Sequence, residues 1–271
     1  MKYGVYISNF ALQGDPNRFL ELAIAAEDAG WDGFFMWDHN YAGKNEWIVD
    51  PWITLAAIAA RTEKIRIGTT VTPLPRRRPQ VVAREVATLD ILSKGRCILG
   101  VGLGGSSEND YRKFGEDVNL KERAERLDES LAILEGLWSG KPFSFSGKHY
   151  TIDEVTFNPR PIQRPRVPIW CAGTWPLKAP FRRAARYDGV FPLSMSEDIS
   201  LEEYSDVVNY VKRHRGSMKD YDIVIMGRST GDPEKDSWIK ESEVLGMTWY
   251  VEVMMGDDFD KHLETIKRGP P

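Results

Sequence analysis

Asp38 and His39 stand side by side at the end of an apolar run, Gly33 to Trp37, in a chain with four histidines in all: His39, His149, His214 and His262. An imidazole exchanges its proton near neutrality, so His39 suits general acid–base work at a strand end, although a structural hydrogen bond would also explain it. Neighbouring side chains on an extended chain diverge, so Asp38 need not be its partner and could instead cap a loop or helix. The other three histidines fall in a hairpin or at helical positions, and no metal centre is expected. No serine lies in a nucleophile-elbow sequence, and neither Cys97 nor Cys171 has a credible histidine nearby. Anion binding has a better basis. Gly173 and Thr174 follow an apolar run and precede a helical stretch, where free amides and a hydroxyl could take a phosphate, or could simply start a helix. Gly102 and Gly104 could admit an aromatic ring against the backbone, or could be turn glycines. Arg76, Arg77 and Arg78 could form a solvated face, or could meet a phosphate or an acidic cofactor tail.

These residues belong to a regular alternation. Strands are expected at Tyr3–Ile7, Gly33–Trp37, Ile65–Val71, Cys97–Val101, Val167–Cys171, Gly189–Leu193, Asp222–Met226 and Thr248–Val253. Helical patterns separate them. Asp15–Pro16 and Asp50–Pro51 pair a cap with a first-turn proline, and Ser200 with Glu203 has capping-box spacing. One helix is expected over Pro79–Leu92 and another over Pro176–Tyr187. Gly102–Asn119 is long for a passive connection and reads as a lid or binding loop. Residues 141–166 read as an excursion holding a hairpin, Phe143–Phe145 against Tyr150–Ile152. Short strands, even spacing and the lack of a glycine fingerprint after the first strand favour a (β/α)8 TIM barrel over a doubly wound sheet. The whole chain, 1–271, is expected to be one such domain, with insertions at the C-terminal mouth. Strand exits would then gather Ser8, Asn9, Asp38, His39, Thr70, Val71, Gly102, Gly104, Gly173, Thr174, Arg228 and Glu252 at that mouth.

Composition narrows the class. The chain has 271 residues, 42% of them hydrophobic, enough for a substantial core. A formal net charge of -4 argues against a dedicated nucleic-acid surface. No apolar run approaches the ~18 residues of a membrane span, and Met1 leads directly into a strand, so a cytoplasmic protein is expected. Both cysteines should be buried, reduced thiols.

Several segments in order carry a family resemblance: GFFMWDH from Gly33, IGTTVTPLPRRRP from Ile67, PFSFSGKHY from Pro142, IWCAGT from Ile169 and LGMTWYVE from Leu245. ATLDILSKGRCILGVGLG from Ala87 is a further such segment. The chain resembles the bacterial luciferase-like superfamily of flavin- or F420-dependent oxidoreductases. The resemblance implies a redox ring across the C-terminal mouth, near Thr70, Val71, Gly102, Leu103 and Gly104. It implies a bulge and a non-proline cis peptide at Thr70–Val71. It implies a phosphate site at Ala172, Gly173 and Thr174, and a pocket lined in part by Asn9 and Asp38. His39 is implied as a pocket residue that polarises substrate or stabilises the cofactor, and Arg76–Arg78 are read as near an acidic cofactor tail. Related sugar-phosphate dehydrogenases carry an acid just after the fourth strand's glycines, where this chain has Gly105, with Glu108 later. F420 is the expected cofactor, with FMN the alternative. The expected function is hydride transfer to or from a small organic substrate. An FMN-dependent monooxygenase and a non-catalytic cofactor-binding barrel are the alternatives. A homodimer is consistent with the resemblance.

Overall fold

The computed structural model describes residues 1–105, 107–116, 119–194 and 199–271. Eight parallel strands close into a barrel in the order β1-β10-β9-β8-β7-β4-β3-β2. They are β1 (Lys2–Ile7), β2 (Gly33–Met36), β3 (Arg66–Pro73), β4 (Cys97–Gly102), β7 (Ile169–Thr174), β8 (Gly189–Leu193), β9 (Asp222–Gly227) and β10 (Trp249–Met254). The expected hairpin is present as β5 (Pro142–Ser146) and β6 (Thr151–Thr156), antiparallel and outside the barrel. Its turn is tied down by Glu129, whose carboxylate accepts the N–H groups of Lys148, His149 and Tyr150.

Helices α1 (Pro16–Asp28), α2 (Pro51–Arg61), α3 (Pro79–Leu92), α4 (Leu120–Trp138), α5 (Lys178–Ala184), α6 (Leu201–Arg215), α7 (Ser237–Val244) and α8 (Phe259–Lys267) surround the strands. Their starts follow the local chemistry. The Asp50 carboxylate accepts the Ile53 N–H at 2.9 Å, and Ser200 with Glu203 forms the full capping box. Helix α5 is shorter than the expected Pro176–Tyr187. Strand β7 runs on to Thr174, and Trp175 to Leu177 are used in the connection. At its far end Arg186 and Tyr187 bond three residues back, to Arg183 and Ala184, which tightens the helix out of register. Pro192 lies in β8, but the β8–β9 pairing stops at Val190–Ile223, so its missing N–H interrupts no ladder there.

The barrel interior is aromatic. Phe35, Trp170 and Trp249 are fully buried, with ring centroids 5.1–5.6 Å apart at steep angles. Asp222 accepts both indole N–H groups, from Trp170 and Trp249, at 3.0 Å each. This plug fills the lower barrel and leaves the C-terminal end open. Both cysteines are buried and free, and burial pushes the Cys171 thiol up to about 12. Among the described residues no helix is long and apolar enough to cross a membrane.

Asp222→Ala should leave two buried indole donors without an acceptor and lower unfolding stability by about 2–4 kcal/mol. A urea titration reads this directly, and an unchanged midpoint would show that the indoles do not depend on Asp222.

Candidate functional site

Strand β3 is the irregular member of the barrel. Its pairing with β4 jumps between Thr69 and Thr72, which leaves Thr70 and Val71 in a bulge, and the peptide bond between them is cis. Both face a cavity of about 800 Å³ at the C-terminal mouth, inside the range of about 300–1,000 Å³ typical of ligand pockets. One wall carries Tyr6, Trp37, Asp38 and His39, the far wall Leu193, Ile225, Met226 and Arg228; Val253, beside Tyr6 on β10, joins the two, and Trp238 also lines the cavity.

A buried ionic network stands behind the first wall. Asp38 is 2% exposed, and its carboxylate accepts from Arg76 at 2.8 Å, Arg77 at 2.7 Å and the Thr72 hydroxyl at 2.9 Å. Arg76 also donates to the Asp38 carbonyl and, at 3.0 Å, to Asp110. Asp110, fully buried, meets the His39 Nδ1 at 2.6 Å and accepts the Asn40 N–H at 2.9 Å. Burial opposes ionisation of Asp110. The His39 hydrogen bond and charge, the Asn40 N–H and Arg76 outweigh it, and the carboxyl is held below its ordinary range. A carboxylate has no proton to give, so His39 Nδ1 carries the hydrogen. Nε2 is then the open nitrogen, with no protein partner among the described residues, on a side chain that lines the cavity.

Asn9 fixes the backbone at this point. Its Nδ2 donates to the carbonyls of His39 and Val49, and its Oδ1 accepts the His39 N–H. The imidazole packs edge-on against Phe10 and beside Trp37, with centroids 5.8 and 5.7 Å away.

The sequence-based site set divides accordingly. His39, Asp38, Thr70, Val71 and Gly104 line the cavity. Asn9 does not, and it acts on the backbone instead. Gly102, Leu103 and Ala172–Thr174 are also outside the lining. Gly173 also has a packing reason: a Cβ there would stand 2.4 Å from Pro180, where α5 approaches β7. The Trp175 N–H is already bound to the Leu193 carbonyl. The arginine run is corrected in part. Arg76 and Arg77 are neither a solvated face nor free for an acidic tail, because both guanidiniums are committed to Asp38; Arg78 remains exposed. Glu252 points away from the mouth, accepting the Tyr250 hydroxyl and the Ser229 N–H, and burial pushes its carboxyl up.

Asp110 is the functional residue that the sequence reading missed. The length of the loop after β4 was its signal, and Glu108, which did attract notice, is exposed and pairs with Arg112. Tyr111 anchors the loop by donating to the Leu103 carbonyl at 2.6 Å. Ser106, Asp117 and Val118 of that loop lie outside the described residues. Among the described residues, the one carboxylate–imidazole group with metal-ligand spacing, Glu122, Glu125 and His149, lies outside the lining of this cavity, and Lys148 holds both carboxylates.

The cavity fits a polar, ring-sized ligand. Thr70 Oγ1 and Trp37 Nε1 are buried polar atoms with no protein partner, on residues that face it. A closed parallel barrel with a bulged third strand and one oriented imidazole at its mouth defines a ligand-binding (β/α)8 protein. The chain belongs to the luciferase-like monooxygenase family, which it matches over residues 1–264. An F420-dependent glucose-6-phosphate dehydrogenase of Microbacterium testaceum is 36% identical over 173 residues, covering 60% of this chain and 49% of that protein. An F420-dependent hydroxymycolic acid dehydrogenase of Mycobacterium tuberculosis is 35% identical over 187 residues, 68% of this chain and 50% of that protein. The chain thus spans about half the length of these relatives. Among solved structures, an F420-dependent secondary alcohol dehydrogenase with an F420–acetone adduct superposes with a TM-score of 0.82 at 20% identity, over 100% of this chain and 98% of that one. A monooxygenase from Streptomyces bottropensis gives 0.80 at 20% identity, over 98% and 97%.

The lowered Asp110 carboxyl fixes a pH dependence. Its stabilisation is complete above the ordinary carboxylate range and is lost as pH falls through the native value. Asp110→Asn should therefore lower stability by about 1–3 kcal/mol at pH 7 and by less near pH 3. Equal losses at both pH values, in parallel urea titrations, would contradict the charge argument.

Proposed function

We propose that this chain is an F420-dependent oxidoreductase that passes hydride between the deazaflavin and a small alcohol or carbonyl compound. The observation that carries this reading is His39, held by Asp110 so that Nε2 is left toward the cavity. The F420-dependent dehydrogenases among its relatives support the choice of cofactor.

Thr70 and Val71 in the bulge, with Gly104, would hold one side of the ring, and the unpartnered Thr70 hydroxyl and Trp37 indole N–H would meet its polar edge or the substrate oxygen. When bound, the deazaflavin supplies a carbon that accepts or donates hydride. His39 Nε2 takes the hydroxyl proton while the alcohol carbon gives up its hydride, so the substrate loses two electrons and two hydrogens and becomes a carbonyl. In reverse, the imidazolium returns that proton to the carbonyl oxygen as hydride arrives. Asp110 stabilises the imidazolium, and Arg76 keeps Asp110 ionised and in place. Trp37, Tyr6 and the apolar far wall exclude water from the reacting atoms.

Optical titration with F420 and with FMN tests the cofactor. F420 should bind saturably and FMN weakly. Tight FMN binding without F420 uptake would overturn the proposal in favour of flavin monooxygenation. In a screen of secondary alcohols, His39→Gln should retain F420 affinity and lower kcat by about 100-fold or more. An unchanged kcat would remove His39 from the chemistry.

A further inference from the structure

The far wall of the cavity carries a cation that no described residue neutralises. Among the described lining residues three side chains carry or can carry charge at neutral pH: Asp38, His39 and Arg228. Asp38 is balanced by Arg76 and Arg77, and His39 is paired with Asp110. Arg228 follows directly on β9, forms no ion pair among the described residues, and donates only to the Met255 thioether, at 3.4 Å. Arg228 is exposed to solvent on its outer side, and its neighbours on the cavity side are apolar. Ile225, Met226, Val253 and Leu193 lie along the same side of the cavity. Gly227 is glycine because the Trp238 indole packs against the strand exit there: a Cβ would stand 2.4 Å from the ring. The wall between the imidazole and the guanidinium therefore offers mostly aliphatic and aromatic surface, with the Tyr6 hydroxyl set among it.

We propose that the substrate is an amphiphilic anion. Its hydroxyl or carbonyl sits at His39, its hydrocarbon body lies along the Met226–Val253–Trp238 wall, and a carboxylate or phosphate ends at Arg228. The inference deepens the oxidoreductase reading and rests on it for the position of the reacting oxygen. It also separates this chain from a sugar-phosphate dehydrogenase. A sugar has several hydroxyls that would need partners, and burying them against aliphatic side chains leaves them unsatisfied. A guanidinium beside a thioether at the end of an apolar wall instead suits a charged head on an apolar chain, since Arg makes forked bonds to carboxylate or phosphate.

Calorimetric titration of the wild type and Arg228→Gln, each with and without F420, tests this with octanoate, hexyl phosphate, 1-octanol and glucose 6-phosphate. Octanoate or hexyl phosphate should bind the wild type and lose about 10- to 100-fold in affinity in Arg228→Gln, the range for one charge-assisted hydrogen bond. 1-Octanol should bind both proteins alike. Glucose 6-phosphate binding tighter than either amphiphile would overturn the proposal, as would amphiphile binding that is absent or insensitive to the substitution. F420 affinity is measured on the same two proteins. If Arg228→Gln weakens F420 and not the amphiphiles, the guanidinium serves the cofactor's acidic tail and the substrate inference fails. If the amphiphiles bind through Arg228 but F420 does not bind at all, the anion site stands and the oxidoreductase reading falls.

Discussion

Two carboxylates and two guanidiniums share one buried volume beside the barrel mouth, and the site depends on their balance. Asp38 and Asp110 would each be expensive to bury alone, as would Arg76. Together they satisfy one another: Arg76 bridges the two acids, Arg77 and Thr72 complete Asp38, and His39 completes Asp110. The arrangement positions more than it stabilises, because an apolar core could fill the same space with no desolvation penalty. What it provides is direction. The carboxylate fixes which imidazole nitrogen carries hydrogen, and Asn9 fixes the backbone from which the ring projects.

The rest of the barrel supports that arrangement from below and from the side. The Phe35–Trp170–Trp249 plug fills the lower half and is held by Asp222, so the open space is confined to the C-terminal end. The bulge in β3 turns Thr70 and Val71 toward that space and starts the turn that carries Arg76 back to Asp38. One irregularity in one strand thus shapes the ligand wall and delivers the arginine behind the wall next to it.

Much of this was legible in the residues. The alternation of apolar runs and capped helical stripes gave the eight strands and their order, and the Asp50–Pro51 and Ser200–Glu203 starts appear as read. His39 was identifiable as the titratable group at a strand exit. The arginine run was misread for a physical reason. Arg76–Arg78 looks like a surface run because three successive arginines usually are one, and nothing local shows that the chain folds two of them onto Asp38. Gly173 also has a packing reason that no local signal shows, because its Pro180 contact appears only when α5 packs down.

The sequence alone determined what short-range chemistry can determine: the period of each segment, the caps that start its helices, the apolar residues that must be inside, and the family pattern across the chain. Tertiary structure decided which charges meet. Asp110 reaches His39 from 71 residues away, Asp38 is neutralised from another loop, Glu252 turns outward, and Arg228 is left facing apolar surface. Partners of buried charges are set by barrel closure, which brings together strand exits that are far apart along the chain. No local pattern encodes that neighbourhood.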